Sequence, residues 1–202
     1  MTKNDGFAIF GQPVRGRSCG SCKACCTQVP VDLPTGHKDA NERCQHVCGK
    51  GCAIYQTRPE PCRWWSCRWL FDPTATTLKR PDIGGYVVDC MPDTVMANGT
   101  PASVLQVWVD PNRRDAHRDP GLRAYLEDMA LRHQMAAIIR YSSSEGFVLV
   151  APCLNPEGEW LEIDGEIRTQ AELNQLVREA RSVNNPISTQ SSVATDVATK
   201  KI

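Results

Sequence analysis

CGSCKACC, residues 19–26, places four thiols, Cys19, Cys22, Cys25 and Cys26, within eight residues. The chain holds eleven cysteines in 202 residues, and nine of them fall between Cys19 and Cys67. A chain of this length can bury a core of its own, so cross-links are not needed to rescue a small fold. The N-terminal residues contain no apolar run long enough for a signal-peptide core. No stretch approaches the ~20 apolar residues of a membrane span. A cytoplasmic protein without a membrane partner is therefore expected. In that compartment thiols stay reduced, and clustered cysteines point to metal binding or redox chemistry rather than to a disulfide framework.

Outward from this stretch, the segment 15–72 is full of turn residues (Gly20, Pro30, Pro34, Gly36, Gly49, Gly51, Pro59, Pro61) and poor in apolar runs. Such a segment needs an external staple, which a bound metal supplies because its binding free energy becomes folding free energy. Residues 1–14 are read as an extension and 15–72 as a cysteine-rich metal-chelating module. Residues 80–181 are read as an α+β body forming one compact unit with the module. Residues 182–202, rich in Ser, Thr and Asn, are read as a disordered tail.

In the body, GGYVVDCMP (84–92), SVLQVWVDP (103–111) and GFVLVAP (146–152) have the β-branched and aromatic content of strands. Residues 120–140 read as one helix with Asp119 as N-cap and Pro120 at its first position. Its apolar stripe is Leu122, Leu126, Met129 and Ala130, continued by His133 or Met135 and Ile138. WLEIDGEIRT (160–169) reads as a hairpin around Asp164-Gly165, and AELNQLVREARS (171–182) as a closing helix. The expected fold is α+β. A loop-rich metal module packs on a small mixed or antiparallel sheet of three to five strands, with two to three helices.

Thiolates are soft ligands that suit zinc, iron–sulfur clusters and copper(I). If residues 19–26 were helical, at ~100° per residue Cys19, Cys22 and Cys26 would share a face and Cys25 would point away. Adjacent Cys25 and Cys26 thus suggest two neighbouring centres, or one centre larger than a single ion. The second group, CQHVCGKGCAIYQTRPEPCRWWSCRW (44–69), adds Cys44, Cys48, Cys52, Cys62 and Cys67. Pro61 can open a short helix, and Cys62 and Cys67 diverge unless that helix ends between them.

The series C-x2-C-x2-C-C, C-x-H, then G-C-x-I-Y-x-x-R-P-x-x-C-R-x-x-x-C, over residues 19 to 69, resembles the bacterial cysteine-cluster proteins described as zinc- or iron-chelating domains. A relative of that domain occurs in the flagellin lysine N-methylase. Besides the cysteines, Ile54, Tyr55, Arg58, Pro59 and Arg63 carry the resemblance. It implies metal ligation by Cys19, Cys22, Cys25, Cys26, Cys44, Cys52, Cys62 and Cys67. Cys48 is an addition that competes with Cys44 for one place. The cofactor implied is zinc or iron, as mononuclear sites or as an iron–sulfur cluster. No glycine-rich cofactor loop accompanies the motif, so methyl transfer is not carried over.

The function expected is therefore a metal-binding protein, with a structural, adaptor or metal-delivery role. The alternative is an iron–sulfur oxidoreductase or redox partner protein. A Cys-x-x-Cys thiol–disulfide catalyst ranks last, because it leaves the remaining thiols without a role. Cys90 and Cys153 are expected in the core, and His117 and His133 in structural or surface roles. His46 is expected beside the metal rather than on it. Tyr55, Trp64, Trp65 and Trp69 are expected to wrap the centre. Arg58 and Arg63 are expected to reach loop carbonyls or thiolates. DPNRRDAHRDP (110–120) reads as a solvated turn. Lys and Arg together number 23, as do Asp and Glu; this balance argues against a general nucleic-acid binder. A protein partner stays open.

Overall fold

The computed structural model describes residues 12–97 and 100–164. The Asp164-Gly165 hairpin turn, the helix expected over 171–182 and the tail 182–202 lie beyond Asp164, outside the described residues, as does most of the extension 1–14.

The fold is α+β. Among the described residues the largest sheet has five strands: β5 (Tyr86–Ala97), β6 (Thr100–Val109), β7 (Ala136–Arg140), β8 (Gly146–Val150) and β9 (Leu161–Asp164). Their spatial order follows the chain, and every pair is antiparallel except β6–β7. The parallel pair needs a crossover, and α5 (Pro120–His133) provides it. Asp119 caps this helix as its sequence predicts, its carboxylate accepting from the Gly121 and Leu122 amides.

The helix stops earlier than expected. Gln134 takes a left-handed conformation, φ 55°, and Ala136–Arg140 leaves as a strand paired with Val104–Trp108. Ala137, Ile138, Ile139 and Arg140 are all buried, so β7 is covered on both faces. A strand covered on both faces reads as a continuous apolar run, which local sequence cannot tell from buried helix. His133, on the expected stripe, is exposed.

The two faces of the sheet have different partners. Val88 pairs with Val107, and both join Leu105, Ile139, Leu149 and the α5 side chains Leu122, Tyr125, Leu126 and Met129 in the main core. Val87 pairs with Trp108, and these two face the other way, against Ala24 and Val29 of the N-terminal module. Alternation along β5 and β6 thus sends one row of side chains to α5 and the next to the cysteines.

The module is built from short pieces: α1 (Ala24–Gln28), the hairpins β1–β2 (Val31–Leu33, Gly36–Lys38) and β3–β4 (Val47–Cys48, Gly51–Cys52), α2 (Glu60–Trp64) and α3 (Arg68–Phe71). With α4 (Pro81–Gly84), the described residues hold four short helices besides α5. The module docks where β5 bulges between Val88 and Pro92. There Cys67 bridges to Asp89, and the Cys90 amide donates to the Ser66 carbonyl. The Trp65 indole N–H donates to the Asp89 carboxylate at 2.8 Å, and Arg68 Nε donates to the Asp89 carbonyl at 3.2 Å. A bulge bends an edge strand and redirects its side chains, which suits a docking point. Farther along, the Tyr125 hydroxyl donates to Asp72 at 2.6 Å and ties α5 to the end of α3.

Two readings of single regions change. Cys153 is exposed, not in the core. Pro152 cannot continue a ladder, so the chain leaves the sheet after Ala151 through a 3₁₀ turn, Pro152–Leu154. Residues 110–120 are not wholly solvated either. Arg114–Arg118 form a 3₁₀ turn that buries Ala116 and His117, whose ring meets Tyr141 and Phe147 edge-on. No described helix is long and apolar enough to cross a membrane.

Candidate metal centre

Cys19 and Cys22 lie in a turn, with the Cys22 amide donating to the Cys19 carbonyl at 2.8 Å and Gly20 at φ 50°. The helix starts only after this turn, so the opening stretch is half knuckle and half helix. Cys25 and Cys26 sit side by side on α1 and therefore point about 100° apart. The Cys26 carbonyl accepts the Cys44 amide at 2.9 Å, which brings the second cysteine group to the first.

Cys44 leads into the β3–β4 hairpin, where Val47 faces Cys52 and Cys48 faces Gly51. Neighbours on a strand point to opposite sides. Cys52 turns inward and Cys48 does not. The hairpin packs tightly on the Cys19–Cys22 turn: a methyl group added at Gly51, φ 114°, would sit 2.4 Å from the Gly20 carbonyl oxygen. Pro61 sits in the first turn of α2, which carries Cys62 and ends at Trp64. Cys67 starts α3 as its N-cap, so the helix that Pro61 opens ends between Cys62 and Cys67 and does not carry both.

The result is a cavity of about 250 Å³ lined by Cys19, Cys22, Cys25, Cys26, Cys44, Cys52, Cys62 and Cys67. Cys48, Cys90 and Cys153 do not line it. Cys90 instead accepts the Ser66 amide and borders a separate hollow with Arg68 and His133. A site for one water needs roughly 10–15 Å³ by the same measure, so the cysteine cavity has room for far more than a single ion. Tyr55, Trp65 and Trp69 form part of its wall as expected, whereas Trp64 is 51% exposed and stands outside. His46 lines the cavity, and Arg63 is exposed.

Two contributions were not read from the sequence. Lys38, in β2, is buried, and its ammonium donates to the Asp39 and Glu42 carbonyls near Cys44 and Cys26. The run Val31–Lys38 carries turn signals but nothing that marks this lysine as inward. Val87 and Trp108 floor the module, and strand alternation alone could have shown that their face differs from that of Val88 and Val107.

Burial governs the thiols. It pushes the Cys19, Cys22, Cys52 and Cys62 thiols up, and the Cys67 thiol to about 12. Cys25 is pushed well above the ordinary range, first by donating its hydrogen bond to Cys26 and then by burial. Cys26 is the counterpart, lowered to about 7 by accepting that bond, with Lys38 and Arg58 adding to the effect against burial. Arg58 lies 3.9 Å from the Tyr55 ring centre and acts on Cys19, Cys26, Cys52 and Cys62.

Such an arrangement offers soft donors, apolar cover and compensating cations in one place. The donor chemistry fits a thiophilic metal. The side chains surround the cavity rather than meet at one point: among the described residues, no three His, Cys, Asp or Glu side chains are set to hold one ion. No protein-family model, no curated protein and no solved structure matches this chain.

Proposed function

We propose that this protein chelates zinc or iron through Cys19, Cys22, Cys25, Cys26, Cys44, Cys52, Cys62 and Cys67, in line with its resemblance to the cysteine-cluster proteins. The observation that carries the reading is selective. Of eleven cysteines, the eight named by the resemblance line one cavity, and the three left over do not. Buried thiols without a ligand would have no reason to sort in this way. Bound metal would supply the organising centre that the short elements of the module lack, and so would stabilise the fold itself. We place the protein in the cytoplasm, where these thiols stay reduced.

Elemental analysis of protein purified without oxygen tests the proposal. About two zinc ions per chain would match closed four-thiolate sites. Iron with equal sulfide, about four of each, would match a cluster. Cys22→Ser should lower metal content, and Cys153→Ser, at an exposed position, should leave it unchanged. Absence of metal, or equal metal content in both variants, would refute the proposal.

A further inference from the structure

The eight thiols are not one pool. Cys22, Cys25 and Cys67 pack together against Ala24, Val29, Val87 and Trp108, on the face of the sheet away from α5. Cys19 joins them through its turn with Cys22. Cys67 is also fixed to the sheet by its bridge to Asp89. None of the other four takes part in this packing. They are held through a different route: Cys44 hangs from the Cys26 carbonyl, Val47 donates to the Cys44 carbonyl, and Cys52 stands opposite Val47 in the hairpin.

The helices sort two further thiols the same way: α3, which Cys67 caps, packs on β5, whereas α2, which carries Cys62, packs on β1 of the hairpin that ends in Lys38. The two groups meet at Cys25 and Cys26, whose side chains are hydrogen-bonded to each other.

Building on the proposed metal chelation, we infer that the cavity is two four-thiolate sites for divalent soft metals. One is a sheet site of Cys19, Cys22, Cys25 and Cys67, and the other a hairpin site of Cys26, Cys44, Cys52 and Cys62. The adjacent pair Cys25–Cys26 is the partition, because neighbouring positions on a helix cannot aim at one small ion equally well. Binding at either site exchanges thiol protons for metal: S–H bonds break, metal–sulfur bonds form, and the protons leave to solvent. A divalent ion with four thiolates carries two negative charges. The buried Lys38 stands beside Cys44 and Cys26 of the hairpin site, with Cys25 of the sheet site also within its reach, and offsets that charge chiefly at the hairpin site.

The test loads the full chain with cobalt(II) without oxygen. It counts metal per chain and follows the absorption bands of tetrahedral cobalt thiolate. Wild type should take two equivalents. Cys67→Ser and Cys62→Ser should each lose one. The same-site double variant Cys52→Ser/Cys62→Ser should lose no more than Cys62→Ser alone, and the cross-site pair Cys62→Ser/Cys67→Ser should lose both. Lys38→Met keeps all eight thiols, which guards against variants that fail to fold; it should weaken one equivalent about tenfold and the other clearly less. Loss of all metal in one single variant or in the same-site double variant would overturn the partition. So would Lys38→Met weakening both equivalents alike. Wild type that takes no cobalt would overturn the chelation reading itself, and the partition with it.

Discussion

Val87 and Val88 are neighbours on β5, with 0% and 2% exposure, yet they look to opposite sides of the sheet. Truncating either to alanine removes about two buried methyl-sized groups, or about 1.6 kcal/mol at ~0.8 kcal/mol each. A void that does not fully collapse adds about 1 kcal/mol more. Each variant should therefore lose about 2–3 kcal/mol in the metal-free state, lowering Tm by about 4–12 °C for a chain of this size. Metal retention should separate them. Val87 lines the cysteine cavity and supports Cys22, Cys25 and Cys67, whereas Val88 packs under α5. If about 2 kcal/mol of that support belongs to the bound state, Val87→Ala should loosen metal about 30-fold, and Val88→Ala should stay within about twofold of wild type. Thermal unfolding of the metal-free chain and competition against a coloured chelator measure the two quantities. Equal loss of metal affinity in both variants would refute the claim that the sheet divides the core from the cysteine cavity.

Other changes test single joints. Gly51→Ala should cost metal affinity as well as stability, because its methyl group would strike the Gly20 carbonyl at a left-handed position; an alanine variant with normal loading, measured by elemental analysis, would contradict the tight docking of the hairpin. Gln134→Gly should raise stability by up to about 1 kcal/mol, since glycine meets no Cβ penalty at φ 55°; denaturant unfolding that shows a loss would count against a helix end at His133. Asp119→Ala should cost about 1 kcal/mol through loss of the cap. Burial would raise the Asp119 carboxyl, but the Lys79 ammonium and the Leu122 amide outweigh it and hold it below the usual range. The stabilisation is therefore complete above about pH 4 and is lost as pH falls through the lowered folded value; a gap between wild type and Asp119→Ala that widens on acidification would reverse this sign.

The sequence by itself determined local features: eight thiols crowded into two short groups, the cap at Asp119, and strands around Val87, Val107 and Val148. These are effects of neighbours a few residues apart, such as turn residues, β-branched runs and proline at a first helical turn, so they can be read from the chain alone. Residues 136–140 could not be, because an apolar run covered on both sides looks alike as helix and as strand, and the decision comes from pairing with Val104–Trp108. Nor could the fate of Cys153, which depends on where the sheet ends. Cys25 and Cys26 show the division within one peptide unit. Their adjacency already says that they point apart. Which thiols each one meets was decided by contacts that only the folded chain makes, with Cys67 and Val87 on one side and Cys44 with its hairpin on the other. Those partners lie tens of residues away along the chain, and burial against the sheet is what brings them together.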